Sequence, residues 1–125
     1  KKKIIDMEIK KTGKLFSFCC AAPAIIKKKN NQEIKFFENL GSKIGLLFQI
    51  ADDLIDFHGN SKSAGKQTGK DQKKGKATLI SLMGYTNAVK YCDSIIIDNN
   101  KILKKYGSKS KNIKDTLEYI LNRDK

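Results

Sequence analysis

An all-α fold is predicted for this 125-residue sequence by three features. Apolar residues recur at helical rather than alternating spacing. There is a single proline, Pro23, and the strongest periodic stretch, residues 33–58, contains none. A chain this long supplies one domain at most, with enough residues to bury a real core.

Residues 1–26 give a helical pattern through Ile4, Ile5, Ile9, Phe16 and Cys19, with Pro23 bending or ending it. Lys27 to Gln32 reads as a polar connection. Residues 33–58 form the central helix, and His58 sits at its boundary. Residues 59–76, GNSKSAGKQTGKDQKKGK, hold four glycines and almost nothing apolar, which predicts a loop too long for a casual connector. Helix resumes around Ala77–Met83, breaks near Gly84 and runs on to Tyr106, with Gly107 as its C-cap. Residues 111–123 make a final helix that buries Ile113, Leu117, Ile120 and Leu121.

The formal net charge is +13, and Arg123 is the only arginine. Lysine, isoleucine and asparagine are over-used together, a bias that an AT-rich genome also produces. Nucleic-acid recognition normally recruits arginine for bidentate base reading and aromatics for stacking. Neither accompanies these lysines, so no nucleic-acid partner is expected. Cys19, Cys20 and Cys92 lack metal-ligand spacing, and the apolar stretch around Cys19 and Cys20 suggests buried, reduced thiols there. No run approaches the length of a membrane span, and no signal peptide is visible. A cytoplasmic protein is expected. The chain starts at Lys1 within a helical pattern, as a fragment would.

Candidate chemistry lies in the central helix. On a helical wheel Ser42, Gly45, Gln49, Asp52, Asp53 and Asp56 share one arc, and apolar residues fill the rest. The one polar stripe is therefore acidic and free of lysine. Carboxylates at this spacing repel one another unless something positive sits among them. They suit a hard divalent cation such as Mg2+, which takes one or two carboxylates, waters and phosphate oxygens. Pairing with lysines of neighbouring helices is the bland alternative. The following loop supplies matching charge, with Lys62, Lys66, Lys70, Lys73, Lys74 and Lys76 among glycines. Glycine admits close backbone approach, and lysine ammonium groups hold phosphate as point charges. GKQTGK is too short between its glycines for a P-loop and is followed by Asp71. A solvated flexible loop would look similar. Together the stripe and the loop suggest a magnesium–diphosphate site, where charge would stabilise a phosphate-type leaving group.

From Phe48 to Gly84, FQIADDLIDFHGNSKSAGKQTGKDQKKGKATLISLMG resembles the farnesyl/geranylgeranyl diphosphate synthase family of trans-polyprenyl synthases. FQxxDDxxD followed by G-K and then K-D-x-x-x-G-K-A/S-T is a specific combination. Lys11-Thr12-Gly13 looks like the family's K-T motif, and YILNRDK like its basic carboxy terminus. The resemblance covers residues 1–125 as the carboxy-terminal half of an isoprenoid-synthase helical bundle with a central cavity, the amino-terminal half being absent.

The resemblance implies Mg2+-dependent condensation of isopentenyl diphosphate with an allylic diphosphate. Ionisation gives an allylic cation, the second substrate's double bond attacks it, and proton loss completes the cycle. Asp52 would ligate magnesium directly, and Asp53 and Asp56 directly or through water. Lys11 and Lys66 would grip the allylic diphosphate. Thr12 and Gln49 would place oxygen dipoles near the cation, and Phe48 would line the pocket. Lys76, Arg123 and Lys125 would help close the site. A short-chain product and a homodimer of the full-length enzyme are implied as well.

The family's first aspartate-rich motif, its G-K-x-x-R-P segment and the arginines after that motif have no counterpart here. A fragment alone is therefore expected to be inactive and to expose apolar surface. Competing readings are a non-catalytic subunit of such a synthase and a lysine-rich polyanion-binding protein. The lysine-free acidic stripe argues against the second.

Overall fold

The computed structural model of the chain describes residues 2–63 and 78–123, all helical apart from short turns, with no strand among them. The elements are α1 (Lys2–Glu8), a π-helical turn (Ile9–Gly13), α2 (Lys14–Ile26), α3 (Asn31–Ser63), α4 (Leu79–Met83), α5 (Tyr85–Leu103), a 3-10 segment (Lys104–Ser110) and α6 (Lys111–Asn122). The all-α expectation holds.

The 33-residue α3 is the axis. Its Leu40, Leu47 and Ile50 are fully buried, and they meet Leu79 of α4, Cys92 and Leu103 of α5, and Leu117 of α6 in one core. Full burial of a leucine or isoleucine contributes roughly 1.5–3 kcal/mol, so this row outweighs any single surface contact.

The α2–α3 contact is made by backbone. An added Cβ at Gly41 would lie 2.3 Å from the Phe16 carbonyl oxygen, and one at Gly45 would lie 2.6 Å from the Gly13 Cα. Gly13 faces Gly45 while Phe16 and Ser17 face Gly41, so the two helices run antiparallel. The aromatic cluster of Phe36, Phe37 and Tyr106 places the start of α3 beside the far end of α5. Arg123 meets Asp52 at the other end, so α6 runs alongside α3 in the same direction.

The ends of the helices are explained locally. Thr78 caps α4 in a reciprocal box: its hydroxyl accepts from the Ser81 amide, and the Ser81 hydroxyl accepts from the Thr78 amide, both at 3.1 Å. Gly84, at φ 80°, separates α4 from α5. The Ser110 hydroxyl bridges the carbonyls of Leu103 (3.2 Å) and Gly107 (2.8 Å) across the corner into α6.

Several expectations need correction. Pro23 lies inside α2, where it withholds the bond an amide would give the Cys19 carbonyl, and the helix ends at Ile26, within a turn of it. The polar connection is shorter than read from sequence, since α3 begins at Asn31. It also runs to Ser63, so residues 59–63 are helix and His58 lies within it. The remainder of the expected lysine–glycine loop, with Lys66 and Lys76, lies outside the described residues, as does Lys125. Gly107 is not the cap of α5, which gives way to 3-10 geometry after Leu103; it supplies the positive φ, 56°, of the corner itself. Cys19 is exposed and Cys20 half-buried, because α2 turns Ser17, Ala21 and Ala24 inward. Burial pushes the Cys20 thiol above its usual range, with neighbouring Cys19 adding to the effect. The outer face of α2 presents Leu15, Phe18, Ile25 and Ile26 to solvent.

Two stability outcomes follow. Gly41→Ala forces a methyl against backbone and should cost about 1–3 kcal/mol in denaturant unfolding. Gly13→Ala meets nothing closer than 3.4 Å and should be near neutral, so equal losses would refute the backbone contact. Asn99 of α5 is fully buried, and neither amide atom has a partner among the described residues. Asn99→Leu, similar in volume, should raise stability by about 1–3 kcal/mol, the cost of an unsatisfied buried amide; a loss would reveal a polar partner.

Candidate functional site

The π-helical turn holds Lys11 and Thr12 and passes directly into α2 at Gly13. Because Gly13 rests on Gly45, Thr12 is held beside Gln49, which lies one turn beyond Gly45 on the facing helix. Its hydroxyl donates to Gln49 Oε1 at 3.0 Å in a half-buried setting. The bond links residues 37 apart in sequence. It fixes the amide, and the lone pairs of the Thr12 oxygen remain available to an electropositive neighbour.

One turn further along α3 the stripe becomes acidic. Asp52 Oδ1 accepts a charge-assisted hydrogen bond from the Arg123 guanidinium at the end of α6. The two side chains are 40% and 17% exposed. The guanidinium carbon also stands 4.6 Å from the centroid of Phe48, and Phe48 in turn packs on Phe16 with centroids 5.5 Å apart. Cation–π contact and ion pairing thus hold the same arginine from two sides. Asp53 is half-buried, and Asp56 is exposed.

The structure makes two sets of contacts, Thr12 with Gln49 and Phe48 with Arg123 and Asp52, and α3 carries both. Lys11 is exposed and helps line a surface concavity with Lys3, Asp6, Met7 and Lys10. The aspartates of the stripe lie outside that concavity. The stripe is interrupted at Gly45, which is sealed against Gly13; Ser42 lines a separate concavity with Ser17 and Glu38, and the stretch next to the aspartates opens from Gln49 onward.

Among the described residues no three His, Cys, Asp or Glu side chains gather as a protein metal cage. Magnesium does not require one, since it keeps waters and shares its shell with phosphate oxygens. The hard oxygen donors of the stripe fit such shared coordination. The Asp52–Arg123 pair shows that this position already attracts a cation. Sequence reading placed Thr12 and Gln49 in a common role without recognising that they bond to each other. It also missed the backbone contact, although Gly41 and Gly45, spaced four apart in GSKIG, mark a helix face open to close approach.

Comparison with known proteins gives the family. The profile of the family described as Polyprenyl synthetase matches residues 1–122. A farnesyl diphosphate synthase of Micrococcus luteus is 30% identical over 119 residues, covering 95% of this chain and 41% of that protein. A short chain isoprenyl diphosphate synthase of Methanocaldococcus jannaschii is 33% identical over 120 residues, 93% of this chain and 35% of that protein. Geranylgeranyl pyrophosphate synthase 4 of Arabidopsis thaliana is 30% identical over 119 residues, 94% of this chain and 32% of that protein. The chain spans about a third to two-fifths of the length of these relatives. With the profile running through nearly every residue, the chain belongs to the polyprenyl synthetase family.

Proposed function

We propose that this chain is the carboxy-terminal part of a short-chain prenyltransferase that joins isopentenyl diphosphate to an allylic diphosphate. The observation that supports it most is the contiguous polar face of Thr12, Gln49 and Asp52, assembled from two helices of a family member.

Asp52, with Asp53 and Asp56 beside it, would hold Mg2+ together with the diphosphate. When bound, the ion supplies positive charge that neutralises the departing diphosphate. Lys11 and Lys66 grip the same diphosphate as point charges, with Lys76 closing over it. Thr12 donates its proton to Gln49, so both oxygens can turn lone pairs toward positive charge developing on the allylic carbon. Phe48 and Phe16 present aromatic surface beside it and exclude water. Arg123 neutralises Asp52 before the metal arrives and is then free to contact diphosphate oxygens. Isopentenyl diphosphate would be held by groups this chain lacks. Proximity of the two substrates can contribute roughly 7–11 kcal/mol to such a step, so catalysis needs the missing part.

Calorimetry on the chain should show magnesium and inorganic pyrophosphate each tightening the other's binding. Asp52→Ala should weaken the joint binding by about 10–100-fold, the usual scale for disturbing a metal site. Arg123→Gln should have split effects, strengthening magnesium alone and weakening pyrophosphate. Indifference of pyrophosphate binding to both magnesium and Asp52→Ala would overturn the assignment.

Activity gives a separate check. With labelled isopentenyl diphosphate and an allylic partner, the chain alone should show no transfer. Turnover should appear on adding the polypeptide encoded upstream of Lys1. Turnover by the chain alone would show that the division of labour is wrong.

A further inference from the structure

We propose that the end of the bundle remote from the aspartates docks on the surface of an anionic lipid bilayer. The antiparallel topology gathers two separate lysine-rich segments there. One is the corner between α2 and α3, residues 27–35, with Lys27, Lys28, Lys29 and Lys35. The other is the corner between α5 and α6, residues 101–115, with Lys101, Lys104, Lys105, Lys109, Lys111 and Lys114. The packing of Tyr106 on Phe36 and Phe37 joins them, and Lys105 Nζ lies 4.1 Å from the Phe36 centroid.

Together the segments carry ten lysines against two carboxylates, Glu33 and Asp115. Each carboxylate is already paired with one lysine, Lys29 at 3.6 Å and Lys111 at 2.5 Å. The two corners therefore carry a large excess of positive charge, which the topology brings to one end of the bundle.

Two further observations select lipid over nucleic acid. Ile25 and Ile26, 49% and 76% exposed, stand immediately before Lys27, so an apolar tip projects beside the charges. A bilayer interface accepts that combination, apolar side chains entering the acyl boundary while ammonium groups meet headgroup phosphates. The patch has no arginine, and its aromatic rings pack on one another instead of offering faces for base stacking. Lys28 also takes the left-handed position after α2, at φ 52°, where the Lys29 amide bonds to Ala24 and the Lys28 amide to Ile25. Glycine is the usual occupant of that position, which here carries an ammonium group at the tip. No helix among the described residues is long and apolar enough to cross a membrane, so the contact is peripheral.

The patch lies well away from the candidate site. Asp52 follows Phe36 by sixteen residues on α3, about 24 Å at roughly 1.5 Å per residue. Docking leaves the aspartates facing away from the bilayer, and the proposal stands independently of the catalytic reading.

The test is co-sedimentation of the chain with phosphatidylcholine vesicles, with and without phosphatidylserine, across a salt series. Binding should require the anionic lipid and fall as salt rises. Lys27→Gln, Lys28→Gln and Lys104→Gln combined, all at exposed positions, should weaken it by about tenfold or more. Lys2→Gln, Lys3→Gln and Lys10→Gln combined remove the same charge at the opposite end and should change it by less than about threefold. Ile26→Ser should weaken binding in a way that low salt does not restore. Equal losses from the two triple variants would mean net charge alone is responsible and would overturn the proposal. So would preferential binding of a single-stranded oligonucleotide that displaces the vesicles at physiological salt.

Discussion

The approach of α2 to α3 without intervening side chains is the constraint on which the rest of the structure depends. Gly41 and Gly45 let two backbones meet where any Cβ would collide. Packing this close tolerates little rotation or sliding, so the phase of α2 against α3 is set by sterics before any polar bond forms. Thr12 then meets Gln49, and Phe16 meets Phe48, because each pair lies a fixed number of residues from that contact. The polar bond reports the register and does not create it.

Along α3 the electrostatic character reverses. Near its start the neighbouring corners are crowded with ammonium groups, and beyond Gln49 the helix turns acidic. Such a separation costs little at the exposed lysine end, where water screens the repulsion. It costs more at Asp52 and Asp53, which are adjacent and half-buried. Arg123 answers part of that cost by reaching back from α6, with Phe48 supporting its guanidinium. The pair is exposed enough for a divalent ion to compete for Asp52, as a fully buried pair would not be.

Much of this was legible in the sequence. The helical class, the α3 axis, the break at Gly84 and the acidic stripe all follow from periodicity and from residues with special backbone preferences. The family was readable from the local wording around Asp52. Helix limits were read less well, because polar residues such as Asn60 and Ser61 do not forbid helix when α3 can simply continue outward. The burial of Cys19 was misjudged because small residues, Ser17, Ala21 and Ala24, claim the inner face of α2 where a backbone contact leaves no room for larger ones. The Arg123–Asp52 pair joins residues 71 apart and depends on how α6 lies against α3, which no local pattern encodes.

The π-helical turn at Ile9–Gly13 has a bearing on how the chain tolerates changes of length. It holds one residue more than an α-helical turn would, inserted just before the docked segment of α2. Deleting a residue there would let the turn relax to α geometry and leave the Gly13 contact in place. Because the turn absorbs the extra residue, α1 would also keep nearly the same phase, with Lys3 and Met7 on the side they share with Lys11 and Glu8 in its buried position. A deletion between Gly13 and Ser17, where no such slack exists, would instead turn everything before it by about 100° against the Gly41 contact, the angle one residue subtends in a helix. The chain can thus lose a residue at the π turn at far less cost to the site than one turn later.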